Sequence, residues 1–124
     1  MIGYTTIGTN DLERAGKFYD ALFAELGAGR AMVTDRLIMW TDKPGNPMFG
    51  VITPFDEKPS SAGNGVMISL AVGNPEMVAK LHAKALELGA SDEGEPGPRG
   101  EGGGMNFSYI RDLDGNKLAF YHMG

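Results

Sequence analysis

The stretch Arg111-Asp112-Leu113-Asp114-Gly115-Asn116-Lys117-Leu118-Ala119-Phe120-Tyr121 reads as a strand end, a tight turn and a second strand. Asp-Gly between two apolar runs is a strong short-range hairpin signal. Gly115 can take the positive φ that such a turn needs. A three-residue turn with a glycine bulge sets Arg111 opposite Lys117, Tyr109 opposite Ala119 and Phe107 opposite Tyr121. Past the turn, Leu118 and Phe120 share one face, and Lys117, Ala119 and Tyr121 share the other. One face is expected to meet a helix and the other an open cleft.

The rest of the chain follows the same logic. Tyr4 to Gly8 reads as a strand rich in Thr and Ile. Asn10-Asp11-Leu12-Glu13 reads as a helix start, with Asn10 as the cap and Glu13 reaching back in a capping box. Leu12, Ala15, Phe18, Tyr19, Leu22 and Leu26 fall at helical spacing, and Gly27 ends the helix. Ala31–Val33, Leu37–Thr41 and Phe49–Thr53 read as three further strands, with a turn region from Asp42 to Pro47. Pro54 to Asn64 is polar, carries two prolines, and reads as a connecting stretch. The pattern then restarts: a strand from Val66 to Val72, then a helix capped by Asn74 with Pro75 at its first position. Val78, Leu81, Ala85 and Leu88 are its buried stripe. Ser91 to Gly104 reads as a long loop with one short strand at its start. The GxGxxG-like spacings in Gly94–Gly104 follow no Rossmann βα unit, so the run is read as a flexible loop and not as a nucleotide cradle.

The order strand–helix–strand–strand–strand therefore occurs twice. Tyr4 matches Met67, Thr6 matches Ser69 and Glu13 matches Glu76 at one constant offset, and Leu26-Gly27-Ala28 matches Leu88-Gly89-Ala90. A unit of about 60 residues cannot bury both faces of a sheet well alone. Two can curl their sheets around a cleft with helices outside. A ferredoxin-like α+β sandwich is the alternative arrangement. With the Asn-Asp-Leu-Glu-Arg-Ala helix entry, Phe18-Tyr19 and the Asp112–Asn116 turn, the chain resembles the vicinal-oxygen-chelate superfamily of glyoxalases, bleomycin-resistance proteins and extradiol dioxygenases. The resemblance covers essentially the whole chain. It implies an α+β fold of two βαβββ modules forming a curled mixed sheet around a cleft, helices outside. The modules would span 1–57 and 65–124 of one domain, with a linker at 58–64.

Metal-holding members of that family place ligands, usually His or Glu, on the first and last strands of each module. Carried over position by position, those places fall on Tyr4, Gly50, Met67 and Ala119. None is a strong donor for a divalent ion at neutral pH, so the resemblance is to a member lacking the metal ligands, and no cofactor is expected. Strand alternation puts Tyr4, Thr6, Met67, Ser69, Phe107, Tyr109, Arg111, Ala119 and Tyr121 on the cleft side. Trp40 joins them if the two hairpin turns have equal length. Such an aromatic lining suits an organic ligand; a closed core is the plainer alternative. His82 reads as a partly exposed helix residue, and His122 lies on the face of Leu118 and Phe120.

Composition narrows the function. The chain has 124 residues, a formal charge of −5 and no cysteine. Disulfides and thiolate metal sites are thereby excluded. The acidic balance without a basic cluster argues against nucleic acid or anionic membrane as partners. No signal peptide or membrane-length apolar run is read, so a cytoplasmic location is expected. The resemblance implies a metal-independent protein that binds a small, partly aromatic organic molecule in the cleft as a homodimer. The alternative is a metal-free lyase or isomerase using Tyr4 or Tyr109 as acid–base group, with Arg111 holding an anion. A metal-dependent glyoxalase or dioxygenase ranks third.

Overall fold

Two amphipathic helices anchor the structure, a computed structural model that describes residues 1–124. Helix α1 (Leu12–Ala24) buries Ala15, Phe18, Tyr19, Leu22 and Phe23. Helix α2 (Pro75–Glu87) buries Val78, Leu81, His82 and Ala85. Asn74 caps α2, accepting from the Met77 N–H at 2.8 Å, with Pro75 at the first turn as expected. The α1 cap is one residue later than expected: Asp11 accepts from the Arg14 N–H at 3.0 Å. Asn10 is occupied elsewhere. Its Oδ1 accepts from the Ser60 N–H and its Nδ2 donates to the Ser60 carbonyl, at 2.6 and 3.3 Å.

The chain divides into two compact units, Met1–Ala62 and Gly63–Gly124, and each is a βαβββ module. In the first, β1 (Tyr4–Gly8), β2 (Gly29–Val33), β3 (Leu37–Thr41) and β4 (Met48–Ile52) form a sheet in the order β1-β4-β3-β2. In the second, β5 (Ile68–Ala71), β6 (Ser91–Arg99), β7 (Met105–Arg111) and β8 (Lys117–Met123) form a sheet in the order β5-β8-β7-β6. The first strand of each unit pairs in parallel with the last, and the other pairs are antiparallel. The fold is thus α+β with two four-stranded mixed sheets. In each unit the helix packs on one face of its own sheet.

One element is corrected. Ser91 to Arg99 is a strand of nine residues and not mainly loop. Its Gly and Pro content hid it. The strand is an edge, paired with β7 alone, and register shifts between Asp92, Gly94 and Gly97 absorb the irregularity. An edge tolerates prolines because their missing N–H faces away from the ladder. The same strand explains His82. It is 4% exposed, because Asp92 on β6 lies over it with Oδ1 3.2 Å from Nε2.

The closing hairpin has the expected register, with Arg111 on Lys117, Tyr109 on Ala119 and Phe107 on Tyr121. Asp112 organises its turn. One carboxylate oxygen accepts from the Asp114 and Asn116 N–H groups, both at 2.9 Å, and the other accepts from Asn116 Nδ2 at 3.1 Å. Gly115 takes φ 86°. Asp112→Ala leaves two backbone donors in the turn unpaired and should cost about 2 kcal/mol in urea denaturation, at about 1 kcal/mol per bond. Asp112→Asn retains one acceptor and should cost less.

Candidate functional site

Alternation along β7 and β8 sorts the second unit's side chains. Ser108, Ile110, Leu118 and Phe120 are fully buried, and α2 packs on the same two strands. The opposite face carries Phe107, Tyr109, Arg111, Lys117, Ala119 and Tyr121, with Ser69 beside Ala119 on β5. Three rings form a row. Phe107 and Tyr121 stack at 5.1 Å between centroids and 14° between planes, and Phe107 and Tyr109 at 5.9 Å and 17°. All three side chains are half-buried and so keep part of their surface in solvent. Ala119 is fully buried. It supports the row from within and offers a ligand no surface. Met67 precedes β5 and is exposed.

Glycine shapes the edge of this row. A Cβ on Gly94 would lie 2.7 Å from the Tyr109 ring. The ring rests on bare backbone of β6, an arrangement only glycine permits there. Cations surround the same ring: Lys117 Nζ is 5.3 Å and the Arg99 guanidinium carbon 5.7 Å from its centroid. Arg111 is engaged elsewhere. Its Nε donates to Glu93 Oε1 at 2.8 Å and its Nη1 to the Gly115 carbonyl at 3.1 Å. An anion would have to compete with Glu93 for it. Lys117 is on the face the sequence assigns it, beside Tyr109, whereas Arg99 carried no such signal because its Gly- and Pro-rich strand looks like a loop.

In the first unit, Tyr4 and Thr6 point away from α1 and are exposed. Trp40 does not join them. It is 1% exposed and packs against Tyr19 and Phe23 of α1, each at 5.7 Å between centroids. The assumption of equal turns fails by one residue. Met39 pairs with Gly50, whereas Tyr109 pairs with Ala119. The turn from Asp42 to Pro47 is one residue longer than its counterpart, which rotates Trp40 into the core. Met39 takes the expected place.

Trp40 Nε1 instead donates to Asp20 Oδ1 at 2.9 Å, and Arg30 grips the same carboxylate with Nε and Nη2 at 2.9 and 2.8 Å. The Arg30 hydrogen bonds hold Asp20 below the usual carboxylate range, with Trp40 adding to them against some desolvation. A lowered folded-state pKa contributes stability above the unfolded value of about 3.9 and loses it as pH falls through the folded one. Asp20→Asn should therefore lower the thermal midpoint at pH 7, with the gap closing as pH drops below about 4.

A family model described as the glyoxalase/bleomycin resistance protein/dioxygenase superfamily matches residues 1–120. The chain belongs to this superfamily. Among solved structures it is similar to a glyoxalase/bleomycin resistance protein from Albidiferax ferrireducens T118. That pair shares 34% identity over 100% of this chain and 99% of the other, with a TM-score of 0.90. It also resembles a lactoylglutathione lyase from Agrobacterium tumefaciens, at 20% identity over 98% and 92% of the two chains and a TM-score of 0.71. Likeness at that identity speaks for the fold alone. A search of curated proteins finds no match.

As a superfamily member the chain can be tested for a metal centre. No group of three or more His, Cys, Asp or Glu could hold an ion. At the four family positions, Tyr4 and Met67 are exposed, while Gly50 and Ala119 are buried and carry no donor. A Cβ on Gly50 would already sit 2.9 Å from the Thr5 carbonyl oxygen. The residues present do not fit a divalent ion.

Proposed function

We propose that this superfamily member binds a small planar organic molecule on the helix-free face of its second unit, without metal or other cofactor. The observation that carries this reading is the row Tyr109–Phe107–Tyr121, stacked nearly parallel and half-open to solvent. A flat ring laid on such a row adds about 0.5–1.5 kcal/mol per stacking contact beyond burial. Ser69 on β5 supplies a small polar anchor, and Met67, just before β5, is an exposed side chain available to the same ligand. The test is a thermal-shift screen of planar compounds followed by calorimetry on the hits. Phe107→Ala and Tyr121→Ala should each weaken binding by about 2- to 10-fold, while Trp40→Phe leaves it unchanged. Unchanged affinity in both ring variants would contradict the reading.

A metal-free lyase or isomerase is the second reading, favoured by the two cations beside Tyr109. A tyrosine serves as acid–base group near neutral pH only where cations stabilise its phenolate. Turnover of a screen hit, lost in Tyr109→Phe with binding retained, would select it. We further propose a cytoplasmic homodimer. Edge strand β2 leaves Met32 and Val33 exposed, a surface a second copy would cover. Light scattering tests it. No helix is long and apolar enough to cross a membrane.

A further inference from the structure

A recess lies within the first unit. Its volume is about 390 Å³, and it is lined by Thr9, Asn10, Arg36, Thr53, Pro54, Glu57, Lys58 and Pro59. The stretch from Pro54 to Ser60 forms one wall, and it is tied down. Asn10 holds the Ser60 backbone through both its amide oxygen and its amide nitrogen. Gly8 lets the strap approach, since a Cβ there would collide with the Ser60 hydroxyl. Within the strap, the Glu57 N–H donates to the Pro54 carbonyl at 3.1 Å and the Lys58 N–H to Asp56 Oδ1 at 3.0 Å. Glu57 adopts φ 62°, a conformation non-glycine residues rarely take. The wall is therefore a built feature of this unit.

The charges in the recess are unmatched. Arg36 has five N–H donors on its guanidinium. Nη2 donates to the Thr53 carbonyl oxygen at 3.1 Å, while Nε is shut off from solvent with no partner. No carboxylate pairs with Arg36 or with Lys58. Glu57 is the one acid in the lining and is paired with neither. The Arg36 guanidinium lies over the exposed Phe55 ring, 5.4 Å from its centroid, and its bond to the Thr53 carbonyl orients it. An oriented guanidinium with free N–H groups recognises a carboxylate in two-point fashion.

We propose that this recess is a binding site for a small hydroxy- or amino-carboxylic acid. The carboxylate sits on Arg36, with Lys58 as a second cation. The ligand's hydroxyl or ammonium donates to Glu57. The recess is much larger than the about 30 Å³ of one water and falls in the size range of small-molecule pockets, about 300–1,000 Å³. The faces of Pro54 and Pro59 take the carbon skeleton. A bare inorganic anion would satisfy the cations but leave Glu57 facing like charge.

Calorimetry on the full chain at low salt tests this with L-malate, L-glutamate, inorganic phosphate and uncharged glycerol. The acids should bind and glycerol should not. Arg36→Gln should weaken the acids by about tenfold or more, the scale of a hydrogen bond to a charged group. Arg36→Lys, which keeps the charge but loses the fork, should fall between. Lys58→Gln lies on the surface strap, preserves the Arg36 contacts, and should weaken binding by a smaller factor, so the outcome does not hang on one variant's folding. Glu57→Gln should weaken the acids while strengthening phosphate. Absence of heat from both acids at millimolar concentration, phosphate binding as tightly as they do, or unchanged affinity in Arg36→Gln and Lys58→Gln would each overturn the proposal. The aromatic row is untouched by these variants, so failure here leaves the planar-ligand reading standing.

Discussion

Leu81→Ala should destabilise the second unit by about 2–5 kcal/mol, and Leu22→Ala the first by a similar amount. Both side chains are fully buried. Each lies on the helix face that covers its own sheet, so truncation removes apolar contact and leaves a cavity that rigid strands cannot close. Chemical denaturation of the two variants reads the effect directly. Loss of less than about 1 kcal/mol in either would mean that its helix is not the anchor of its unit.

Ala119→Glu should cost more than about 3 kcal/mol at pH 7, the sum of overpacking a filled site and burying a carboxylate without a partner. Ala119 is fully buried on β8, between Ser69 and Tyr109 on the flanking strands. Burial raises the carboxyl's folded-state pKa above its unfolded value of about 4.3. The deficit should thus be smallest below that value and grow as pH rises above it. Ala119→Gln carries the bulk without the charge and should lack the pH dependence. A deficit in Ala119→Glu that ignores pH would mean that the carboxylate finds water or the Lys117 ammonium. The variant should gain no divalent metal, since Tyr4, Gly50 and Met67 add no donor.

What was legible in the sequence was what local chemistry specifies. The Asp112–Asn116 turn carries its own acceptors, so the register that aligns Phe107, Tyr109 and Tyr121 with β8 followed from the turn alone. Asn74-Pro75 is a local cap and held. What failed depended on distant partners. Asn10 looked like a cap but bonds to Ser60, fifty positions away. Strand β6 has a composition of Gly, Pro and acid that forbids a central strand, yet an edge accepts it. Trp40 was misplaced because the Asp42–Pro47 turn holds an extra residue, and a shift of one flips a strand's faces. The recess under the Pro54–Ser60 strap left no signal, since a polar stretch with two prolines resembles any connector.

The claim of metal-free planar binding is tested most directly by NMR of the protein with ¹³C-labelled tyrosine, titrated with pooled quinolines and indoles in the presence and absence of EDTA. The four tyrosines are Tyr4, Tyr19, Tyr109 and Tyr121. Tyr19, on α1, is buried against the first sheet, so it serves as the internal control. The account predicts that the Tyr109 and Tyr121 ring signals move together, that Tyr19 stays fixed, and that EDTA changes nothing. Ring signals of Tyr109 and Tyr121 that stay still throughout, or shifts that vanish with EDTA, would contradict it.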